Sequence, residues 1–242
     1  RSDWESVVGV IAETARPFQI LFLGDAGPQP GFAPLGDVSA LWAALPRLRC
    51  LGLRGGVMTV GELDLPSLRE LTIETGALTR ETLLAIGRRS WPGLEKLEVW
   101  FGDRRCTATL PDLGFLFDDS APAKMPKLRH LGLRNCSFVD RVCASLGRAP
   151  ITKQLHVLDL SLGALTERGM NELVSARATF EHLAVLDLHH HYVPPGRLQA
   201  AEVSTLARFV DVSGALYEVV EEGDDDGDEE NRRRFGRVWL DG

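Results

Sequence analysis

Leu183-Ala-Val-Leu-Asp-Leu-His-His-His-Tyr-Val193 spaces its residues as L-x-x-L-x-L-x-x-H-x-V. In a strand, successive side chains point to opposite faces. Leu186 and Leu188 therefore share one face, while Val185, Asp187 and His189 share the other. One such strand cannot bury its apolar face alone. Parallel copies stacked side by side can, with each copy touching only its neighbours.

The copies are present. Phe18-Gln-Ile-Leu-Phe-Leu23, Leu48-Arg-Cys-Leu-Gly-Leu53, Leu68-Arg-Glu-Leu-Thr-Ile73 and Leu94-Glu-Lys-Leu-Glu-Val99 come first. Leu128-Arg-His-Leu-Gly-Leu133 and Leu155-His-Val-Leu-Asp-Leu160 precede the Leu183 segment, and a worn copy, Ala207-Arg-Phe-Val-Asp-Val212, follows it. Their starts are 30, 20, 26, 34, 27, 28 and 24 residues apart. Leucine-rich repeats run to roughly 20–29 residues with this spacing of leucines. The expected fold is thus an α/β leucine-rich-repeat solenoid: a curved right-handed horseshoe, with a parallel sheet of about eight strands on the concave face and short helices on the convex face.

Three regions follow in chain order. Residues 1–17 are expected to form an N-terminal capping helix, with Trp4, Val7, Val8 and Ile11 at helical spacing. Residues 18–214 form the repeat domain, whose longest interval holds an insertion at 102–124. Residues 215–242 form an acidic tail: Glu221 to Glu230 carries eight acidic residues in ten, followed by Arg232, Arg233 and Arg234. Phe235 to Leu240 alternates well enough to be a terminal strand. On the convex side, Thr79, Asp140 and Thr166 occupy equivalent helix-cap positions. Leu83, Leu84 and Ile86, then Val142 and Leu146, then Met170, Leu173 and Val174, supply the faces those helices bury.

Charge narrows the partners. The net charge of −7 disfavours a general nucleic-acid or anionic membrane surface, which needs clustered Lys and Arg. No apolar run reaches the ~20 residues of a membrane-spanning helix. Cys50, Cys106, Cys136 and Cys143 lack a C-x-x-C pair, and reduced thiols in a cytoplasmic protein are expected. Cys136 falls in the repeat slot where a buried Asn or Cys is usual.

Several phrases are more specific than leucine spacing. Leu53-Arg-Gly-Gly56, Leu71-Thr-Ile-Glu-Thr-Gly-Ala-Leu78, Leu158-Asp-Leu-Ser-Leu-Gly-Ala-Leu-Thr-Glu167 and Leu186-Asp-Leu-His-His-His-Tyr192 resemble an uncharacterised family of bacterial cytosolic leucine-rich-repeat proteins. The resemblance covers residues 18 to 240 and includes the valine–aspartate strand and acidic tail. It implies a protein partner, a peptide- or metabolite-modifying enzyme encoded nearby. The basic half of Asp224 to Arg234 departs from the family pattern.

In-register stacking turns outward positions into columns. One column runs Phe22, Gly52, Thr72, Glu98, Gly132, Asp159, Asp187, Asp211; the next runs Gly24, Arg54, Glu74, Trp100, Arg134, Ser161, His189, Ser213. Asp25, Thr75, Phe101, Asn135 and His190 flank them. The expected partner-binding set is Arg54, Glu74, Trp100, Phe101, Arg134, Asp159, Asp187, His189 and His190. Large aromatics and paired charges on an open face are typical interface anchors. The stacked Asp159, Asp187 and Asp211 call for a neutralising group.

No catalytic residue and no cofactor is expected. G-x-x-x-x-G-K-[ST], G-x-G-x-x-G, H-E-x-x-H and G-x-S-x-G are absent. No metal set is assigned either: His191 falls in the buried repeat slot, and alternation separates His190 from its neighbours. The expected function is non-enzymatic protein recognition. The alternative is an accessory metal-binding or enzyme-associated protein using Asp159, Asp187 and His189.

Overall fold

A computed structural model describes residues 3–14, 18–24, 33–102, 105–198 and 201–216. The acidic run, the Arg232–Arg234 triplet and the proposed strand at 235–240 lie outside the described residues, as does Asp25.

Among the described residues, eight strands form one open parallel sheet. They are β1 (Ile20–Gly24), β3 (Cys50–Gly55), β5 (Glu70–Thr75), β6 (Lys96–Trp100), β7 (His130–Arg134), β8 (Val157–Asp159), β9 (Val185–Asp187) and β10 (Phe209–Asp211). Their order in the sheet is their order in the chain, and the sheet does not close into a barrel. A separate pair, β2 (Gly36–Asp37) and β4 (Met58–Thr59), lies beside it. Strand pairing follows the leucine phrases residue for residue: Leu97 opposes Leu131, which opposes Leu158, which opposes Leu186. Leu133, Leu160 and Leu188 lie in one continuous core, each at most 1% exposed.

Helices fill the connections. α1 (Asp3–Thr14) packs against α2 (Leu41–Ala44) and β2, burying Val8. α3 (Arg80–Gly87) joins β5 to β6. It starts as the sequence indicates: Thr79 in extended conformation accepts a hydrogen bond from the Thr82 amide. Its buried face is Thr82, Leu83, Ala85 and Ile86, with Leu84 only half-buried. Between β3 and β5, the shortest interval, there is no helix. Val57-Met-Thr-Val60 alternates instead, burying Met58 and Val60 while Val57 and Thr59 are exposed, and part of it pairs with β2.

The 102–124 insertion is largely helical from Leu110 onward. A 3₁₀ turn at Leu110–Leu113 leads into α4 (Gly114–Phe117) and α5 (Ala121–Lys124). It packs against α3 and the 3₁₀ turn at Pro150–Gln154, burying Leu113 and Leu116. It therefore joins the helical layer.

α6 (Val139–Leu146) and α7 (Glu167–Ser175) pack together. α8 (Arg177–Phe180) follows α7, and α9 (Pro195–Leu198) and α10 (Ala201–Ser204) lie between β9 and β10. Thr166 caps α7 by accepting from the Arg168 amide. Asp140 is not the cap of α6, which begins after Phe138. Its carboxylate instead accepts from the Thr166 amide (2.9 Å) and hydroxyl (2.5 Å), tying the start of α7 to α6. The approach is close enough that a Cβ at Gly169 would collide with that carboxylate and with Leu165. This contact accounts for a glycine inside a helix, where it is otherwise unfavourable.

Burial pushes the thiols of Cys136 and Cys143 upward, and neither forms a disulfide. Leu186→Ala, which leaves a cavity at a fully buried position beneath three strands, is expected to cost about 2–5 kcal/mol by urea denaturation.

Candidate functional site

The outward positions align as the spacing of the leucines dictates. Phe22 opposes Gly52, Gly52 opposes Thr72, Thr72 opposes Glu98, and the column continues through Gly132, Asp159, Asp187 and Asp211. In the next column Gly24 opposes Arg54, Arg54 opposes Glu74 and Trp100 opposes Arg134. A third, two residues earlier, brings Lys96 beside His130.

Charges on this face are organised around Arg134. Its guanidinium lies 4.3 Å from the Trp100 ring centroid, a cation–π distance. It is also 3.5 Å from Glu98 and 3.3 Å from Asp159, and its Nε donates to Ser161 Oγ at 3.0 Å. Glu98 accepts from Trp100 Nε1 at 2.9 Å and pairs with Lys96 Nζ at 2.9 Å. Burial alone would push the Glu98 carboxyl up, but the bonds from Trp100 and Lys96 and the charge of Arg134 prevail, holding it below the usual range.

Arg54 and Glu74 pair at 3.2 Å, without the alignment of a hydrogen bond at Arg54 Nε. Desolvation outweighs the attraction of Arg54 and raises the Glu74 carboxyl. His130 faces Lys96 and Arg134 with its Nε2 4.0 Å from Glu98; burial, then the Lys96 charge, push its imidazole down.

The three stacked aspartates share a local device. Each accepts from the amide two residues on: Asp159 from Ser161 (2.9 Å), Asp187 from His189 (3.0 Å) and Asp211 from Ser213 (2.9 Å). This is the short side-chain-to-backbone turn that Asp forms readily, and each of the three strands ends at its Asp. The bonds from Ser213 hold the Asp211 carboxyl below its ordinary value. Neutralisation then differs along the stack. Asp159 has Arg134, and Asp187 has His189, whose Nδ1 lies 2.6 Å from its Oδ1. The donor atoms of Asp187, His189 and Asp211 lie within 4.8 Å of one another.

Of the expected contact set, Arg54, Glu74, Trp100, Arg134, Asp187 and His189 are half-buried on this face. Asp159 is on it but buried. Phe101 is not: it is 1% exposed, with its ring edge-on to Phe138 at 5.3 Å. The chain continues its alternation past Trp100, which turns Phe101 inward. Its carbonyl then accepts from the Leu78 amide. Thr75 and Asn135 are buried for the same reason of alternation.

His190 has φ of 56°, as have Asn135 (52°) and Leu162 (61°) at equivalent positions. The left-handed turn leaves His190 half-buried beside His189, the rings 4.9 Å apart. His191 is fully buried. Its Nδ1 accepts from the Val193 amide, so its Nε2 donates to the Val212 carbonyl, each at 3.0 Å. Burial pushes this imidazole down. Lys96, Glu98, His130 and Asp211 are participants outside the expected set. Column membership was the signal available for each of them.

No family model matches the chain, and no curated protein does. A crystal structure of a Bacteroides fragilis protein is similar, with a TM-score of 0.79 over 90% of this chain at 23% identity. The chain covers 63% of that structure, and the likeness is one of fold. No helix among the described residues is long and apolar enough to cross a membrane.

Glu98→Gln removes a carboxylate bonded to Trp100 and Lys96, and is expected to cost about 1–3 kcal/mol near pH 7. Because the folded carboxyl titrates below its unfolded counterpart, that stability is full above the unfolded value of about 4.3. It is lost as pH falls through the folded value, so the wild-type advantage over Glu98→Gln is expected to shrink at acid pH in denaturant titrations.

Proposed function

We propose that the chain is a leucine-rich-repeat solenoid and that the outward face of its sheet, concave in that architecture, binds a partner protein without making or breaking bonds in it. The observation that carries this reading is the network around Arg134. A half-buried Trp100 stacks on a guanidinium that is itself fixed by Glu98, Asp159 and Ser161. Aromatic and arginine side chains held rigid before contact lose little freedom on binding, which suits them as anchors.

The contact set follows from exposure: Arg54, Glu74, Trp100, Arg134, Asp187, His189 and His190, with Asp159 beneath them as support and Phe101 excluded by its burial. The exposed apolar residues Ile20 and Phe22 extend the same face at β1. Ser161 serves this network by accepting from Arg134.

Trp100→Ala combined with Asp187→Lys is expected to abolish capture of the partner from lysate of the source cells, with far-UV circular dichroism unchanged. Capture retained by the folded double variant contradicts the reading.

A further inference from the structure

The C-terminal end of the outward face differs from its middle. Asp159 is neutralised by Arg134, but neither Asp187 nor Asp211 pairs with a Lys or Arg among the described residues. The two oppose each other on adjacent strands, about 4.8 Å apart. Each has Oδ1 fixed by the amide two residues on, so neither can swing far from the other. The His189 imidazole lies beside both, with its Nδ1 2.6 Å from Asp187. At neutral pH two fixed carboxylates and one imidazole leave the cluster negative.

A second observation lies beside it. His190 packs edge-on against the His189 ring, and its Nδ1 is shielded from solvent with no hydrogen-bond partner. Burying an imidazole nitrogen without a partner is costly. His190 also holds a left-handed backbone conformation, and Gly214 leaves room for its ring: a Cβ there would lie 2.9 Å from it. The local structure thus places a second imidazole next to the first at some expense.

We propose that Asp187, His189 and Asp211 bind one divalent transition cation, with Zn²⁺ the chemical type. One imidazole nitrogen and two carboxylates, with no thiolate, form a donor set suited to zinc or manganese and unsuited to Cu(I). The imidazole selects against Mg²⁺ and Ca²⁺, which prefer oxygen ligands. The donor atoms lie within 4.8 Å of one another, close enough to share one ion once they draw in to bonds of about 2.0–2.2 Å.

A metal bound at His189 Nδ1 requires that nitrogen to be free of its proton, with the ring proton on Nε2. The half-buried setting keeps the remaining coordination positions open to water or a partner's side chain. Asp159, held by Arg134, takes no part. The site shares Asp187 and His189 with the recognition surface, but its test needs no partner, since it is measured on the isolated chain.

The test is isothermal titration of the full tag-free chain with ZnCl₂ at neutral pH, with MgCl₂ in parallel and the imidazole signals followed by NMR. One saturable equivalent of Zn²⁺ is expected, with the His189 signals moving first and Mg²⁺ giving no comparable isotherm. Asp211→Asn and His189→Ala, each checked for unchanged melting temperature, are expected to weaken Zn²⁺ binding by about tenfold or more. Two variants are used so that misfolding of one leaves the other decisive. Zn²⁺ bound equally well by both folded variants would place the ion elsewhere, for instance on the carboxylates of residues 221–230, and overturn the proposal; so would a wild-type chain that takes up none.

Discussion

Burial of two aliphatic side chains per strand against the same positions of the next strand is the interaction on which the structure depends. Leu51 and Leu53, Leu71 and Ile73, Leu97 and Val99, Leu131 and Leu133, Leu158 and Leu160, and Leu186 and Leu188 repeat that pair with almost no exposure. Because the side-chain period of a strand is two, a slip of one residue would send every leucine to the opposite face. Register is thereby fixed, and with it the composition of each outward column. At β10, the last strand among the described residues, the pair becomes Val210 and Val212, only partly buried.

The outward face inherits its order from that constraint but its character from individual charges. Lys96 and Arg134 together answer Glu98 and Asp159 in the middle strands. Two strands further on, Asp187 and Asp211 pair with no Lys or Arg among the described residues, and both lie beside the His189 imidazole. One column of like residues thus splits into a rigid, neutralised centre and an end that carries unspent negative charge. The proposed recognition surface spans both, and the proposed cation site lies at the end. Both follow from where the sequence places Arg134 relative to three aspartates.

Much of this was legible in advance. Leucine spacing alone placed Asp159, Asp187 and Asp211 in one column and Trp100 beside Arg134, since periodicity of two and parallel pairing leave no other arrangement. The burial of His191 followed from the same phrase. What escaped was local. Phe101 was grouped with the outward residues although it is one step past Trp100, where alternation turns it inward. Asp140 looked like a helix cap, yet its carboxylate serves the next helix, a contact between elements that no single segment encodes. The interval after β3 was too short for a helix, and its alternating Val and Met residues formed β4 instead. Which aspartate Arg134 would choose depended on side-chain reach, and so did the release of Asp211 to join Asp187 and His189.

The central claim is the register of the parallel ladder, and interstrand nuclear Overhauser effects between backbone protons measure it most directly. Contacts are expected to link Gly132 with Asp159, Asp159 with Asp187, and Asp187 with Asp211. A pattern displaced by one residue at any of these steps, or antiparallel contacts between those strands, would contradict the account and dissolve both the Arg134 network and the Asp187–His189–Asp211 cluster.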